Sequence, residues 1–253
     1  MLGRKPCDLI ANAKTAQLSR QKLGLMLPSP VLDRSKLSFQ PKMFYNDTLP
    51  CCTATNLANA LLAIGAIVGY EVNIHDDLVP AFYANTINMP GATLDQLAAT
   101  DGAVELDVLT YQQNIGFGVG EQVPMVGRFG GCALDKTSIA NTAEHMGYAY
   151  LGVNLYEKDM DCFTNKTPLV IDGSDPGKLV GRHSLGLFDW QGLSGDSFVR
   201  LPTYGDFYQA SWDWVMNRTE EAWGIFWREL MTGSQLFQGV DPDTLVADLI
   251  ANQ

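Results

Sequence analysis

Basic residues are scarce in this sequence, and no apolar run is long enough to cross a membrane. The chain has 17 lysine and arginine residues against 28 aspartate and glutamate residues, a formal net charge of −11. A nucleic-acid backbone or an anionic membrane would repel such a protein. The apolar stretch from Leu57 to Val68 is also too short for a transmembrane helix. We therefore expect neither nucleic acid nor membrane among its partners.

Cysteine pairs with metal-ligand spacing are also missing. The five cysteines stand at positions 7, 51, 52, 132 and 162, an odd number without a CxxC pair, so their spacing predicts no metal site. The glycines at 116–120 lack the flanking strand and Lys-Ser or Lys-Thr of a phosphate-binding loop, and no other segment predicts a cofactor. Scattered cysteines and an N-terminus without an apolar signal segment indicate a reducing compartment, so we expect a cytoplasmic protein.

The remaining composition, 46% apolar and 18% charged, is typical of a globular chain with a full core. We divide it into three parts. Residues 1–45 carry prolines at positions 28, 30 and 41, which favour an extended segment that wraps over a surface. Residues 46–232 form the main domain. Residues 233–253 form a tail with a short helix, which begins at the Asp-Pro pair at 241–242.

A long apolar stretch follows two adjacent cysteines in the main domain. From Thr53 onward, apolar residues cover nearly every side of a predicted helix that ends near Gly69, and such a helix is buried. Cys52 stands at its N-terminus, where unpaired backbone N–H groups and the helix dipole favour a thiolate. Cys52 is therefore a candidate nucleophile, and the alternative is a small hydrophobic core residue.

Residue patterns predict further elements along the chain. Helices are expected over residues 77–86, for about three turns after residue 101, and over 137–146. Strands are expected over residues 123–129 and 148–155. The tryptophan-rich segment 212–227 predicts core residues and includes a predicted helix from Thr219 to Met231.

A β-hairpin is predicted within residues 181–205, GRHSLGLFDWQGLSGDSFVRLPTYG. Its strands, Arg182 to Trp190 and Ser197 to Thr203, flank a polar turn with two glycines. The register puts His183 opposite the neighbourhood of residues 202–204. His183 then opens a strand and faces either the core or a cleft.

A cysteine that starts a buried helix, followed much later by a histidine that opens a strand, is the order in papain-like cysteine peptidases. KMFYNDTLPCCTAT resembles a segment of the form MLGNDxxGDCTxA in phage-associated and bacterial papain-like proteins. DGAVELDVLTYQQNIGFG, YAYLGVNL, GRHSLGLFDW and SWDWVMNRTEEAW resemble that group's later blocks in the same order, so the resemblance spans roughly residues 28–228. It implies an α+β papain-like fold, in which a central buried helix with Cys52 packs against an antiparallel sheet or barrel with His183.

The resemblance also implies roles for individual residues. His183 takes the proton of Cys52, and the thiolate attacks an amide carbonyl to form an acyl-enzyme. Asn46, six residues before Cys52, donates to the oxyanion. Cys51 is a rival nucleophile by adjacency, but the family register favours Cys52.

One departure concerns the residue that orients the histidine. The asparagine of the family falls on Pro202, which has no side-chain hydrogen bond to offer. An orienting group then comes from Thr203, Asp206 or a backbone carbonyl, or is missing. Without one the tautomer of the imidazole is poorly fixed and activity falls.

These observations predict a thiol hydrolase for peptide or other amide bonds, encoded by a phage or prophage. One alternative is a virion or assembly protein that keeps the papain-like fold with a silent site, and another is acyl transfer to an amine. The predicted partners are a peptide or protein substrate or other phage structural proteins. The predicted location is the cytoplasm of the host or producing cell, or the virion.

Overall fold

The computed structural model describes residues 2–6, 27–118 and 125–231, which alternate between helices and strands. The helices are α1 (Cys52–Val68), α2 (Leu78–Thr86), α3 (Leu94–Ala98), α4 (Glu105–Ile115), α5 (Lys136–His145), α6 (Glu157–Asn165), α7 (Trp212–Arg218) and α8 (Arg228–Met231). The strands are β1 (Arg4–Lys5), β2 (Ala103–Val104), β3 (Arg128–Gly131), β4 (Ala149–Tyr156), β5 (Leu179–Leu187), β6 (Asp189–Trp190), β7 (Phe198–Thr203), β8 (Asp206–Ser211) and β9 (Thr219–Phe226).

The strands form three sheets in the described part of the chain. A four-stranded antiparallel sheet has the order β3-β9-β4-β5, and a three-stranded antiparallel sheet has the order β6-β7-β8. The short strands β1 and β2 pair in parallel, with Arg4 beside Ala103. His183 lies on β5, opposite Val153 of β4.

Helix α1 is buried, as its apolar sequence predicts. Every residue from Cys52 to Leu61 is buried, and the side chains pack with those of α2 and α4 in one apolar cluster. Gly69 ends the helix with a left-handed φ of 73°, a conformation that glycine adopts without strain. The predicted central helix is confirmed.

The polar side chain of Asn56 joins α1 to the sheet. Its amide Nδ2 donates to the Ser184 hydroxyl and to the Leu185 carbonyl oxygen, both over 2.8 Å. The Tyr148 hydroxyl donates to its Oδ1 over 2.8 Å. Because all these groups are buried and paired, they fix the position of α1 against β5. The predicted α+β fold, with the cysteine helix against the antiparallel sheet of His183, is confirmed.

A second apolar cluster lies among β4, β5, β7, α5 and α7. Trp212 and Trp214 are fully buried in it, and Trp227 is fully buried in the first cluster. The prediction that the tryptophan-rich segment belongs to the core is confirmed. The boundary between the two clusters runs along α1 and β5.

The predicted helix from Thr219 to Met231 is wrong. Residues 219–226 form β9, which pairs with both β3 and β4, and only Arg228–Met231 is helical. A helix precedes this strand instead, at Trp212–Arg218. Pairing on both sides in the interior of a sheet decides the structure of this segment, and local periodicity does not report such distant partners.

The predicted hairpin is correct only at its tip. Trp190 pairs with Val199, but the first strand breaks at Phe188, and β5 pairs with β4 instead of β7. Other predictions agree more closely with the structure: α2, α4, α5 and β4 lie within a few residues of the expected ranges. The strand predicted over residues 123–129 is found at Arg128–Gly131, and residues 119–124 lie outside the described ranges.

Of the predicted divisions of the chain, residues 7–26 of the wrap and the tail at 233–253 lie outside the described residues. Residues 27–45 run over the body, where the backbone of Leu32 exchanges two hydrogen bonds with that of Trp190. The three domain boundaries stay predictions. In the described ranges, no helix is both long and apolar enough to cross a membrane.

Candidate active site

The two adjacent cysteines at the start of α1 have different surroundings. The Cys51 thiol lies 3.6 Å from the Phe44 carbonyl oxygen and 3.5 Å from the Thr55 hydroxyl, and its side chain belongs to the apolar cluster around α1. Burial raises the pKa of Cys51 to about 12. Cys51 is therefore directed into the apolar core around α1.

Cys52 is directed at β5 and at the N-terminal segment. Its thiol accepts hydrogen bonds from the backbone N–H groups of Ser184 and Gly3. Burial is complete and raises the pKa of Cys52 to about 11, although these two N–H groups lower it. The expectation that the helix N-terminus favours a thiolate is wrong for this form, because the loss of water outweighs the dipole of the helix.

His183 is held through one nitrogen of its ring. Nε2 lies 2.7 Å from the Thr203 hydroxyl oxygen, and Nδ1 has no hydrogen-bond partner among the described residues. The side chain is fully buried, and burial lowers the pKa of His183 to about 3. The Cys52 thiol bonds the backbone N–H of Ser184, the residue that follows His183 on β5.

Of the two side chains that the sequence offers to orient His183, the structure brings Thr203 to the ring. Asp206 pairs instead with Lys166 over 2.6 Å, and its other oxygen accepts the Phe207 N–H. Pro202 faces Phe207 in the pairing of β7 with β8. The Thr203 hydroxyl thus contacts the imidazole, whereas Pro202, at the position of the family's asparagine, has no side-chain hydrogen bond to offer.

Tyr204 covers the histidine, a contact that the sequence did not indicate. Its ring is stacked on His183, with centroids 4.5 Å apart and planes inclined by 10°. Tyr204 and Gly205 form the two-residue turn between β7 and β8, with φ values of 46° and 70°. Positive φ at both positions is the signature of a type I′ turn. The only sequence signal for it was the Tyr-Gly pair after the strand.

Asn46 lies in a buried turn just before α1. The preceding residues Phe44 and Tyr45 have positive φ values of 46° and 65°, and the Asn46 N–H donates to the Met43 carbonyl oxygen over 2.9 Å. The side chain is 1% exposed. This turn brings Asn46 to the N-terminal end of the helix that starts with Cys52.

The N-terminal residues 2–6 cover the site, which the sequence did not predict. The Gly3 carbonyl oxygen accepts the Ala103 N–H over 2.8 Å. A Cβ on Gly3 would lie 2.0 Å from the Pro50 carbonyl oxygen, and a Cβ on Gly102 would lie 1.6 Å from the Gly3 oxygen. The N-terminal segment therefore runs past Cys52 through a gap between Pro50 and Gly102. This gap is wide enough for a backbone but not for a side chain.

Beside this gap, Arg4 inserts among three acidic residues. Its guanidinium donates to Glu221 and, over 2.7 Å, to Glu220. Glu105 is the third acid, and burial followed by repulsion from Glu221 raises its pKa to about 8. Its Oε2 accepts a hydrogen bond from Trp223 Nε1 over 3.1 Å. A buried cation thus compensates carboxyl groups that are crowded together.

The fold is similar to those of solved cysteine-protease structures. Xylellain, a cysteine protease from Xylella fastidiosa, gives a TM-score of 0.62 at 15% identity, over 89% of this chain and 95% of that one. Procathepsin B S9 from Trypanosoma congolense gives 0.58 at 10% identity, over 89% and 86%. Digestive procathepsin L 3 of the Tenebrio molitor larval midgut gives 0.57 at 8% identity, over 86% and 78%.

No protein-family model and no curated protein sequence matches the chain. At the identities above, the similarity concerns the fold. The match covers nearly the whole length of xylellain, and the chain packs a buried cysteine helix against an antiparallel sheet. The chain therefore has the fold of the papain-like cysteine proteases.

Proposed function

We propose that the protein is a papain-like thiol hydrolase that cleaves peptide or other amide bonds, with Cys52 as nucleophile and His183 as base. The observation that supports this most directly is the hydrogen-bond pattern of the imidazole. Thr203 lies at Nε2, while Nδ1 has no hydrogen-bond partner in the described residues. An imidazole anchored through one nitrogen keeps the other for proton transfer.

The reaction runs through an acyl-enzyme. With the Nε2 proton donated to the Thr203 hydroxyl oxygen, Nδ1 carries a lone pair and takes the proton of the Cys52 thiol. The sulfur attacks the carbonyl carbon, and the Asn46 side chain and the Cys52 N–H donate to the oxygen that becomes negative. Collapse expels the amine, which receives the proton from His183. Water then cleaves the thioester, with the imidazole again as base.

Residues 2–6 keep this machinery closed in the described form. Burial leaves the thiol with a pKa of about 11 and the imidazole with a pKa of about 3, so both groups are neutral at pH 7. Substrate and water enter only when Gly3 leaves the gap beside Cys52. We therefore propose a latent enzyme, and two of the similar structures are likewise described as procathepsins.

A full-length opened variant tests the proposal. Gly3→Val displaces residues 2–6, because any Cβ there meets the Pro50 backbone. We expect G3V to cleave an unfolded peptide mixture and to react with iodoacetamide at Cys52 well below the ordinary thiol pKa of about 8.5. Lys5→Ala is the matched control, since Lys5 is an exposed cation of the same segment and its loss leaves the cleft closed.

Further variants of the opened protein separate the two cysteines. G3V/C51A should keep the activity of G3V, whereas G3V/C52A and G3V/H183A should lose it by about 1000-fold or more. The contrary result is that G3V cleaves no peptide and that the pH dependence of Cys52 alkylation is that of an ordinary thiol, both in G3V and in G3V/H183A. The hydrolase proposal then fails, and a papain-like fold with a silent site is the better description.

The role of Asn46 is tested in the same background. Loss of one oxyanion donor lowers turnover by about 100- to 1000-fold, so G3V/N46A should fall in that range relative to G3V. KM should change little, because the donor acts on charge that develops in the transition state. A normal turnover rate with a raised KM would assign Asn46 to substrate binding instead.

Two further predictions from the sequence concern acyl transfer and the origin of the protein. Acyl transfer uses the same cysteine and histidine, and it differs in that an amine instead of water attacks the thioester; amide products formed from added amines would favour it. Origin from a phage or prophage, location in a host cytoplasm or virion, and phage structural partners rest on the sequence resemblance alone and stay predictions.

A further inference from the structure

The pocket that holds Arg4 is built by the body of the protein. Glu105 begins α4, and Glu220 and Glu221 lie on β9, so none of the acids belongs to the N-terminal segment. Gly152 of β4 makes room for the guanidinium, because a Cβ there would lie 2.8 Å from Arg4 Nη1. The acids of the pocket therefore stay with the body when residues 2–6 leave the cleft.

The pocket does not pair every N–H group of Arg4. Arg4 Nε is buried and has no hydrogen-bond partner in the described ranges, whereas Glu105 interacts with Ser184 and Trp223. Buried polar groups are nearly always paired, so a contact made only for structural stability would satisfy them. An unpaired guanidinium N–H in this buried cluster indicates a binding pocket that Arg4 fills imperfectly.

The pocket also lies one residue along the chain from the nucleophile. The Gly3 N–H bonds the Cys52 thiol, and the next side chain, Arg4, enters the pocket. The gap at Pro50 and Gly102 admits a backbone without a side chain. Any peptide in the same cleft meets these two features at neighbouring positions.

We infer that the pocket of Glu105, Glu220 and Glu221 is a specificity site for a basic substrate side chain, next to a glycine that passes the gap at Cys52. This assignment rests on the proposed hydrolase function and adds its substrate class: peptides with glycine beside arginine. Arg4, with Gly3, occupies the cleft as such a peptide does.

Arginine fits this pocket better than lysine. Nη1 and Nη2 of Arg4 bond two different carboxylates, so the planar fork of a guanidinium bridges Glu221 and Glu220. A lysine ammonium carries its charge at one point and lacks this geometry. Arginine substrates should therefore be preferred over lysine substrates, and both over neutral ones.

A binding test needs no catalysis. Arg4→Ala in the whole chain deletes the side chain of Arg4 beyond Cβ. The deleted atoms correspond to the small cation ethylguanidinium, which therefore serves as the probe. We expect ethylguanidinium to raise the unfolding temperature of R4A and to bind in calorimetry about tenfold or more tightly than its neutral analogue ethylurea. Wild type, with the pocket filled, should show no such effect, and K5A should behave as wild type.

Variants of the pocket decide the result. R4A/E221Q and R4A/E220Q should each lose about tenfold in affinity for ethylguanidinium, because each removes a carboxylate that bonds the guanidinium directly, with folding checked by circular dichroism. Two acids are tested separately so that failure of one variant to fold leaves the other informative. Equal binding of ethylguanidinium and ethylurea to R4A, or affinity unchanged in both double variants, overturns the assignment.

A peptide test then addresses specificity in the opened protein. G3V/R4A, whose pocket is empty, is offered matched peptides that contain Gly-Arg, Gly-citrulline or Gly-Leu, and the same pairs in reverse order. We expect kcat/KM for arginine to exceed that for citrulline by about 100-fold in at least one order. Equal cleavage of all peptides overturns the pocket assignment. If none is cleaved, the hydrolase proposal fails, and the ethylguanidinium result alone judges the pocket.

Discussion

Arg4 and Arg34 are both buried cations from the first 45 residues, and they are held by different kinds of group. Arg34 donates to four backbone carbonyl oxygens, those of Ala143, Glu144, Gly147 and Phe188. Arg4 donates to the side-chain carboxylates of Glu220 and Glu221. A carbonyl group can neither be protonated near neutral pH nor move away from its backbone, whereas a carboxylate can be protonated or accept another cation.

This difference divides the predicted wrap into two functional parts. Residues 27–45 are attached to the body through Arg34 and through the bridge between Leu32 and Trp190. Residues 2–6 occupy a cleft whose acids can be satisfied by other means. The first segment is structural, and we interpret the second as exchangeable.

The largest effect is expected from Arg34→Ala. Four carbonyl oxygens, three of them in buried contacts, lose this donor, and each buried group left unsatisfied costs about 1–3 kcal/mol before relaxation. The free energy of unfolding, measured by urea denaturation, should fall by at least about 3 kcal/mol. Arg34→Lys retains the charge but not the fork of donors and should recover only part of the loss. Wild-type stability in R34A would remove the contrast between the two arginines.

Arg4→Ala should affect access more than stability. Once residues 2–6 leave, water solvates the acids of the pocket, so the loss in unfolding free energy should be about 1 kcal/mol. Alkylation of Cys52 by iodoacetamide at pH 7 should become about 100-fold faster, measured by mass spectrometry with C51A as background. If R4A destabilises the protein as much as R34A and leaves Cys52 unreactive, both segments are structural.

The pH dependence of stability distinguishes the cleft from the Arg34 site. The pKa of His183 lies near 3 in the folded protein against about 6.5 unfolded. The unfolded chain therefore binds more protons between these values, and stability falls as pH drops through them. The pKa of Glu105 is near 8 against an ordinary 4.5. The folded protein binds more protons in that window, so stability falls as pH rises through it.

Between pH 4.5 and 6.5 the two contributions oppose each other. His183→Gln should add a downward slope with rising pH, relative to wild type, of up to about 1.4 kcal/mol per pH unit, and Glu105→Gln an upward slope of similar size. Urea denaturation across this range measures both. Arg34→Lys serves as control, since it keeps a cation beside Asp189 and Glu144 and leaves both His183 and Glu105 in place. Parallel curves for wild type and H183Q would contradict the burial of a neutral imidazole.

A smaller effect is expected at the orienting position. In the G3V background, Thr203→Val should slow Cys52 alkylation at pH 7 by about tenfold and move its pH midpoint toward that of a free thiol, because Nε2 loses its partner. Asp206→Asn is the matched control, since its carboxylate pairs with Lys166 at the surface. A slower reaction in D206N than in T203V would reverse the assignment of the two residues.

The parts of the fold and of the site that depend on residues close together in sequence could be predicted, and the parts that depend on distant residues could not. Helix α1 was predictable because apolar residues on every side of a helix are a local signal. Strand β9 was not, since its partners lie on β3 and β4, about 70 or more residues away in sequence. Thr203 was one of two open candidates. Its contact with His183 depends on how β7 packs near β5, which periodicity does not report.

The closure of the cleft was likewise invisible in the sequence. Gly3 is an ordinary glycine until Pro50 and Gly102 lie against it, and Arg4 is an ordinary basic residue until β9 supplies its carboxylates. The thiolate expected at Cys52 was wrong in the closed form for the same reason. Only the assembled structure shows that Cys52 is fully buried at the helix end.

Tyr204 affects both the stability of the turn between β7 and β8 and the exposure of the His183 imidazole, in opposite directions. A type I′ turn favours asparagine or glycine at the position where this chain has tyrosine, and a bulky side chain at positive φ costs about 1 kcal/mol or more. Replacing Tyr204 with asparagine should therefore strengthen the hairpin and at the same time uncover one face of the imidazole. The tyrosine therefore keeps one face of the imidazole covered at a cost in the stability of the turn.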